Sequence, residues 1–240
     1  MSGIRGFAKA WALLVLGREA KPRTIVRGLA SGYRICVSPA ENFGYLVGTA
    51  EPHLEKAIKQ YVAAGDTVYD VGANIGYVSL SLAKRVGAKG RVVAFEPVPR
   101  NVDLLRRNIQ DNGLTNIQLL EVAASDRGGE TVIRIAESFS TASLIWHQDN
   151  PSALEVVIKT VAIDDLVEAG ELSEPTFVKI DVEGAEGKVL RGMHRTLANA
   201  APVVFVECSD AGRETAWHLL SGLSYRCQSA ITCKWVDAFE

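Results

Sequence analysis

Val68-Tyr69-Asp70-Val71-Gly72-Ala73-Asn74-Ile75-Gly76 leads from a β-rich run into two glycines, and then into Val78, Leu82 and Val86 at four-residue spacing. Branched and aromatic side chains favour a strand, glycine permits a tight turn, and the four-residue recurrence is that of a helix face. The stretch predicts strand, turn and helix, with the helix's free N-terminal amides beside the turn. An acid just before the first glycine, Asp70, would repel a pyrophosphate and suits a ligand carrying a positive group, such as an amino acid ammonium. The dinucleotide fingerprint G-x-G-x-x-G is not met, because Asn74 and Tyr77 stand where it needs glycine. A Walker Lys-Ser/Thr is missing too.

Working outward, the alternation of strand and helix continues. Arg91 to Phe95, Ile117 to Val122, Phe177 to Val182 and Val203 to Val206 read as buried strands. Helices are expected from Glu51 to about Ala64, from Pro99 to Asp111, over 186–198 and near 212–222. Thr131 to Ala136 and Glu155 to Ile163 read as an antiparallel pair beside the sheet, and 224–230 with 232–238 as a hairpin closing it. Residues 23–50 suggest short strands, with a turn at Pro39-Ala40-Glu41-Asn42. The expectation is an α/β fold with a doubly wound, seven-stranded, mainly parallel sheet of the Rossmann-like kind. A helix and short-strand cap (1–50) precedes the main domain (51–240), which carries a β-hairpin insertion near 131–163.

Such a sheet binds ligands beyond the carboxyl ends of its strands. Five acids stand there: Asp70, Glu96, Asp181, Glu183 and Glu207. Each alone is as readily a helix cap. Together they favour a polar ligand with donors to offer. Glu96, at the tip of the second core strand, is placed to accept both hydroxyls of a ribose. A cationic amino acid end joined to a ribose diol describes S-adenosyl-L-methionine.

Composition narrows the function classes. The 240 residues carry 26 Lys+Arg against 28 Asp+Glu, a net charge of −2, which argues against a nucleic-acid binder. The four cysteines include no CxxC pair, so neither a zinc site nor a disulfide framework is expected, and the cytoplasm is the default compartment. The apolar run Trp11 to Leu16 is too short to span a bilayer. It reads as a packed helix, with membrane-surface contact by Phe7, Trp11 and Leu14 as the alternative. Loop residue His147 reads as solvated.

Val68 to Tyr77, Phe95-Glu96-Pro97 and Lys179-Ile180-Asp181-Val182-Glu183-Gly184-Ala185-Glu186 resemble the FkbM family of S-adenosylmethionine-dependent methyltransferases. Gly48-Thr49-Ala50-Glu51 and Ala162-Ile163-Asp164-Asp165-Leu166 fit it more weakly. The resemblance implies that Asp70, Gly72, Asn74 and Gly76 hold the methionyl part and Glu96 the ribose. Pro97, Ala123 and Ala124 would line the adenine slot, and Asp181 and Glu183 would face the transfer centre. Glu51 is expected either to reach the methionyl ammonium or to start its helix. The expected reaction is O-methylation of a small molecule such as a sugar, a polyketide or another secondary metabolite. Glu183 is the candidate general base, with Glu207 its rival and Asp181 in contact with cofactor or acceptor. No metal is expected, although Asp181, Glu183 and Glu207 offer oxygen ligands of the kind Mg²⁺ takes. The alternatives are methylation of RNA or protein, or a non-catalytic nucleoside-binding protein.

Overall fold

The computed structural model describes residues 19–135, 154–208 and 210–236. The run Trp11 to Leu16 and His147 lie outside the described residues. The chain starts with the antiparallel pair β1 (Lys21–Thr24) and β2 (Arg34–Val37), then α1 (Pro39–Val47) and α2 (Pro52–Tyr61). The turn expected at 39–42 is instead the start of α1, with proline in its first helical position and a kink at Asn42 (φ −114°, ψ 30°).

The core follows as β3 (Thr67–Val71), α3 (Tyr77–Val86), β4 (Arg91–Phe95), α4 (Pro99–Asp111) and β5 (Ile117–Leu120). After an insertion come β9 (Phe177–Ile180), α6 (Glu186–Gly192), α7 (His194–Ala200), β10 (Val203–Val206) and α8 (Asp210–Gly222). The central sheet is parallel throughout, in the order β10-β9-β3-β4-β5. Val68, Tyr69, Val71, Val92, Val93, Ala94, Val178 and Ile180 are all fully buried. Helices covering both faces explain why these strands read as continuous apolar runs rather than alternating ones. The chain runs from β3 outward to β5 on one side and returns to β9 and β10 on the other, so the strand order reverses at β3. A crevice forms at such a switch point.

The Rossmann-like α/β fold therefore stands as read, with a smaller strand count. Among the described residues the central sheet has five strands. Among the described residues β11 (Cys227–Gln228) and β12 (Trp235–Val236) pair only with each other. Their segment lacks the apolar face a sheet-closing strand would bury: Gln228, Thr232 and Lys234 are all exposed. The helix expected over 186–198 is broken at Met193 (φ −125°, ψ 21°). There the chain presses so closely on the preceding layer that a Cβ on Gly192 would lie 1.8 Å from the Ser125 carbonyl oxygen.

The insertion between β5 and β9 comprises β6 (Ala123–Ala124), β7 (Gly129–Ile135), β8 (Leu154–Val161) and the short helix α5 (Ile163–Glu168). β7 and β8 form an antiparallel hairpin, and β8 also pairs in parallel with β6. Asp164 on α5 caps the start of α7. Its carboxylate accepts the Arg195 and Thr196 amides at 2.9 and 2.8 Å, and the Thr196 hydroxyl at 2.7 Å.

Two asparagines dock β2 on α4. The Asn112 side-chain amide meets the Arg34 N–H and carbonyl at 2.7 Å each, as a neighbouring strand would. Asn108 is fully buried; it accepts the Cys36 N–H and donates to the Ile75 carbonyl of the glycine turn, both at 2.8 Å. One side chain thus ties the N-terminal hairpin to the turn that shapes the crevice. Asn108→Ala leaves two buried backbone groups unpaired and is expected to cost about 2–4 kcal/mol, at ~1–3 kcal/mol per group. Urea denaturation measures the loss, and a loss under ~0.5 kcal/mol would show that the tie carries no stability.

Candidate functional site

The crevice opens beyond the tips of β3, β4 and β9 and is walled on one side by the β7–β8 hairpin. Gly72, Asn74, Glu96, Pro97, Ala123, Ala124, Asp181 and Glu183 line it. The structure thus gathers eight residues singled out in the sequence around one cleft. Asp70, Gly76, Glu51 and Glu207 are not on that lining.

The glycine turn packs against its neighbours. Gly72 has φ +80°, and a Cβ there would sit 1.9 Å from the Asp181 carbonyl oxygen, so only glycine lets β3 and β9 end side by side. The Gly72 and Ala73 amides both donate to the Phe95 carbonyl at 3.0 Å, which binds the turn to the tip of β4. Asn74 takes a left-handed conformation (φ +51°) with its side-chain oxygen accepting the Ile75 N–H at 2.8 Å. Gly76 opens α3 and faces Leu105 instead of the cleft.

Glu96 is 4% exposed. One carboxylate oxygen accepts the Asn74 N–H at 2.7 Å; the other accepts the Val98 N–H at 3.0 Å and the Asn101 side-chain amide at 3.2 Å. Burial pushes its pKa up, against the pull of these three donors and of Lys179. The oxygen facing Asn74 keeps one lone pair free, whereas the other has both occupied. A diol held bidentately by both oxygens is thus not available without displacing Asn101, a residue the sequence reading did not mark.

Beneath the cleft Asp70 and Lys179 face each other across β3 and β9 in register. Asp70 is fully buried, accepts the Ser79 hydroxyl at 2.5 Å, and lies 3.3 Å from the Lys179 ammonium. Lys179 also donates to the Gly72 carbonyl at 2.7 Å and lies 3.5 Å from Asp181, whose side chain is 40% exposed. Burial, the strongest influence on Lys179, lowers its pKa, but Asp70 and Asp181 outweigh it and raise it overall. Asp70 therefore sits in the floor under the cleft, while Asp181 joins that floor to the cavity.

Further acids crowd the Asp181 side. The Glu207 amide donates to the Ile180 carbonyl at 2.9 Å, so the tips of β9 and β10 lie adjacent. Burial first, then the charges of Glu207 and Asp181, raise the pKa of Glu51. Glu183 is raised by burial and by Asp181, Glu207 and Glu186; Glu207 by burial and Asp181. Tyr45 stacks on Tyr77 with ring centroids 4.6 Å apart, and burial followed by the Glu51 charge moves its hydroxyl up to about 12. Among the described residues no group of three His, Cys, Asp or Glu is placed to hold a metal ion.

Glu183 is the second non-glycine residue of the cleft with positive φ (+51°), followed by Gly184 at +94°. Glu186 holds this turn: it is 1% exposed and accepts the Gly184 N–H at 2.8 Å. No helix among the described residues is long and apolar enough to cross a membrane.

Known proteins resemble the chain. A hexuronic acid methyltransferase (AglP) of Haloferax volcanii is 35% identical over 150 residues, 58% of this chain and 54% of that protein. The methyltransferase sdnD of Sordaria araneosa is 29% identical over 157 residues, 52% of this chain and 60% of that one. The matches thus span little more than half of these relatives. A crystal structure of methyltransferase FkbM from Methylobacillus flagellatus superposes with a TM-score of 0.47 at 23% identity, covering 65% of this chain and 37% of that one. The methyltransferase FkbM domain matches residues 70–225, from the glycine turn through β10 and α8. Spanning well over half of the sequence and the whole cleft floor, that match makes the chain a member of the FkbM methyltransferase family.

Proposed function

We propose that the chain methylates a hydroxyl of a small-molecule acceptor with S-adenosyl-L-methionine as donor. One observation carries this reading: a cleft at the switch point joins an anchored carboxylate, Glu96, to a charged end built from Asp181 and Glu183. Carboxylates there disfavour a phosphorylated nucleotide and suit a cationic donor. The donor fits what the residues offer. Glu96 keeps a lone pair toward the cleft for a ribose hydroxyl, Gly72 leaves the turn without a side chain, and Asp181 is exposed enough to meet an ammonium. Bound there, S-adenosylmethionine supplies an electrophilic methyl group. The chain's own residues then align the acceptor hydroxyl and take its proton, a task assigned to Glu183. The name of the Haloferax relative, a hexuronic acid methyltransferase, supports a sugar acid as the acceptor class.

Calorimetric titration with S-adenosylhomocysteine tests the donor site. The wild-type chain is expected to bind it, and Glu96→Ala to weaken binding about 5- to 150-fold, equivalent to ~1–3 kcal/mol. A thermal melt must accompany the variant, because alanine also strands the Asn74 and Val98 amides. No heat with folded wild-type protein overturns the reading. An unchanged dissociation constant in a folded Glu96→Ala variant removes Glu96 from the site.

A further inference from the structure

The β7–β8 hairpin leaves one strand of its sheet with an open side. Among the described residues that sheet runs in the order β6-β8-β7, so β8 is paired on both sides and β7 is the edge. Along β7 the backbone groups of alternate residues point away from β8. Its pairing runs from Gly129 opposite Thr160 to Ile135 opposite Leu154 without a skipped residue, so no bulge turns the edge aside. Sheet edges are usually guarded against further pairing by proline, lysine or a bulge, or by being very short. The strand Gly129-Glu130-Thr131-Val132-Ile133-Arg134-Ile135 has none of these guards.

The order of its charges says what this edge accepts. Glu130 and Arg134 have opposite signs and stand two residues to either side of Val132. Side chains alternate along a strand, so these three share the face opposite Ile133, which is buried against Val98. A second β7 laid antiparallel about a two-fold axis at Val132 sets Glu130 of each copy opposite Arg134 of the other, and Val132 opposite Val132. Parallel pairing in register would instead set Glu130 on Glu130 and Arg134 on Arg134. Opposite charges and branched apolar residues directly across a ladder favour it, whereas like charges oppose it. The single chain leaves these groups underused. Val132 is 52% exposed, and Glu130 closes no ion pair among the described residues although Lys159 lies opposite it on β8. Arg134 reaches one oxygen of Glu155 through Nε and Nη2, at 3.0 and 2.9 Å, which leaves Nη1 to offer.

We propose that β7 is a dimer edge, through which two copies of the chain pair antiparallel along Gly129–Ile135. The two hairpins then form one sheet of order β6-β8-β7-β7-β8-β6. A two-fold contact uses the same strand on both copies, so it closes on itself and does not grow into a filament. One edge strand buries little surface, which makes the dimer weak and dependent on concentration. The hairpin also walls the cleft, so pairing braces one wall of each copy's cleft.

Sedimentation velocity of the full chain from about 5 to 200 μM, the range in which a small contact associates, tests the pairing. The wild type is expected to pass from monomer to dimer. Glu130→Arg sets arginine against arginine at both ends of the paired edges, and Arg134→Glu sets glutamate against glutamate. Each variant alone should dimerise at least about tenfold more weakly than wild type. Mixed in equal amounts, the two variants again place arginine opposite glutamate at both ends and should form a heterodimer about as tight as the wild-type dimer. Both positions are exposed, so both variants are expected to fold, and a thermal melt verifies it. Amide exchange of the wild type, followed by NMR below and above the transition, should slow at alternate residues of β7. That readout needs no variant and decides the matter if one fails to fold. A wild type that stays monomeric throughout the range overturns the proposal. So does a dimer that both variants keep, a mixture of the variants that does not associate, or dimerisation that leaves β7 exchange unchanged.

Discussion

Lys179→Met is expected to cost the fold about 3–5 kcal/mol, the range for removing one partner of a buried ion pair. The lysine is 5% exposed at its side chain and lies between a fully buried Asp70 and Asp181. Without it Asp70 keeps only the Ser79 hydroxyl against its charge. The Gly72 carbonyl loses its donor as well, so the glycine turn loosens with the sheet. Urea denaturation at pH 7 measures the effect. Adding Asp70→Asn to Lys179→Met should restore part of the loss, because a neutral amide no longer needs a counter-charge. A single variant within ~1 kcal/mol of wild type would show that water, and not the lysine, balances Asp70. The pH dependence has a definite sign. Asp70 and Asp181 hold the Lys179 pKa above its unfolded value despite burial, so the stabilisation is complete below roughly pH 10.4. It fades as pH rises through the higher folded value. The gap between wild type and Lys179→Met should stay constant from pH 7 to 9 and narrow only in strong alkali.

The same residues show how far sequence carries. The strand tips were legible because a parallel sheet covered on both faces leaves largely apolar runs, with Asp70, Glu96 and Asp181 at or beside their ends. Glycine turns punctuate such runs, so the order of strands followed as well. Depth was not legible. Nothing local distinguishes Asp70, sealed under the cleft, from Asp181 at its surface, since the difference arises from Lys179 bridging two strands more than a hundred residues apart. Long-range amide pairing was equally silent: Asn112 reads as the stop of its helix and Asn108 as one more polar residue within it, yet both complete the edge of β2. The hairpin was visible from its alternation, but which of its faces met the cleft depends on Val98, a contact no periodicity encodes. The last hairpin forms, with Cys227–Gln228 paired to Trp235–Val236, but its exposed polar residues leave little to bury against the central sheet.

Glu183→Gln is expected to lower turnover about 10²- to 10⁴-fold while changing the affinity for S-adenosylhomocysteine less than about threefold. An alcohol attacks poorly until its proton is removed, and Glu183 is the exposed carboxylate on the cleft lining beyond Asp181. The turn that presents it is strained, with φ +51° on a branched-free but full side chain, and is held by Glu186. Burial, Asp181, Glu207 and Glu186 all raise its pKa, which brings its basicity closer to that of a useful proton acceptor near neutral pH. The working form is the carboxylate, so kcat/KM should fall as pH drops through a value above the ordinary glutamate figure of about 4.3. That acid limb should vanish in Glu183→Gln. Glu207→Gln provides the contrast: it removes one negative neighbour, so the limb should move to lower pH while turnover at pH 8 stays within about tenfold of wild type. Initial rates with a labelled methyl donor across pH 4 to 9 measure both variants. Equal losses of binding and turnover in Glu183→Gln would make Glu183 a residue of the donor site. A deeper loss of turnover in Glu207→Gln than in Glu183→Gln would transfer the base to the tip of β10.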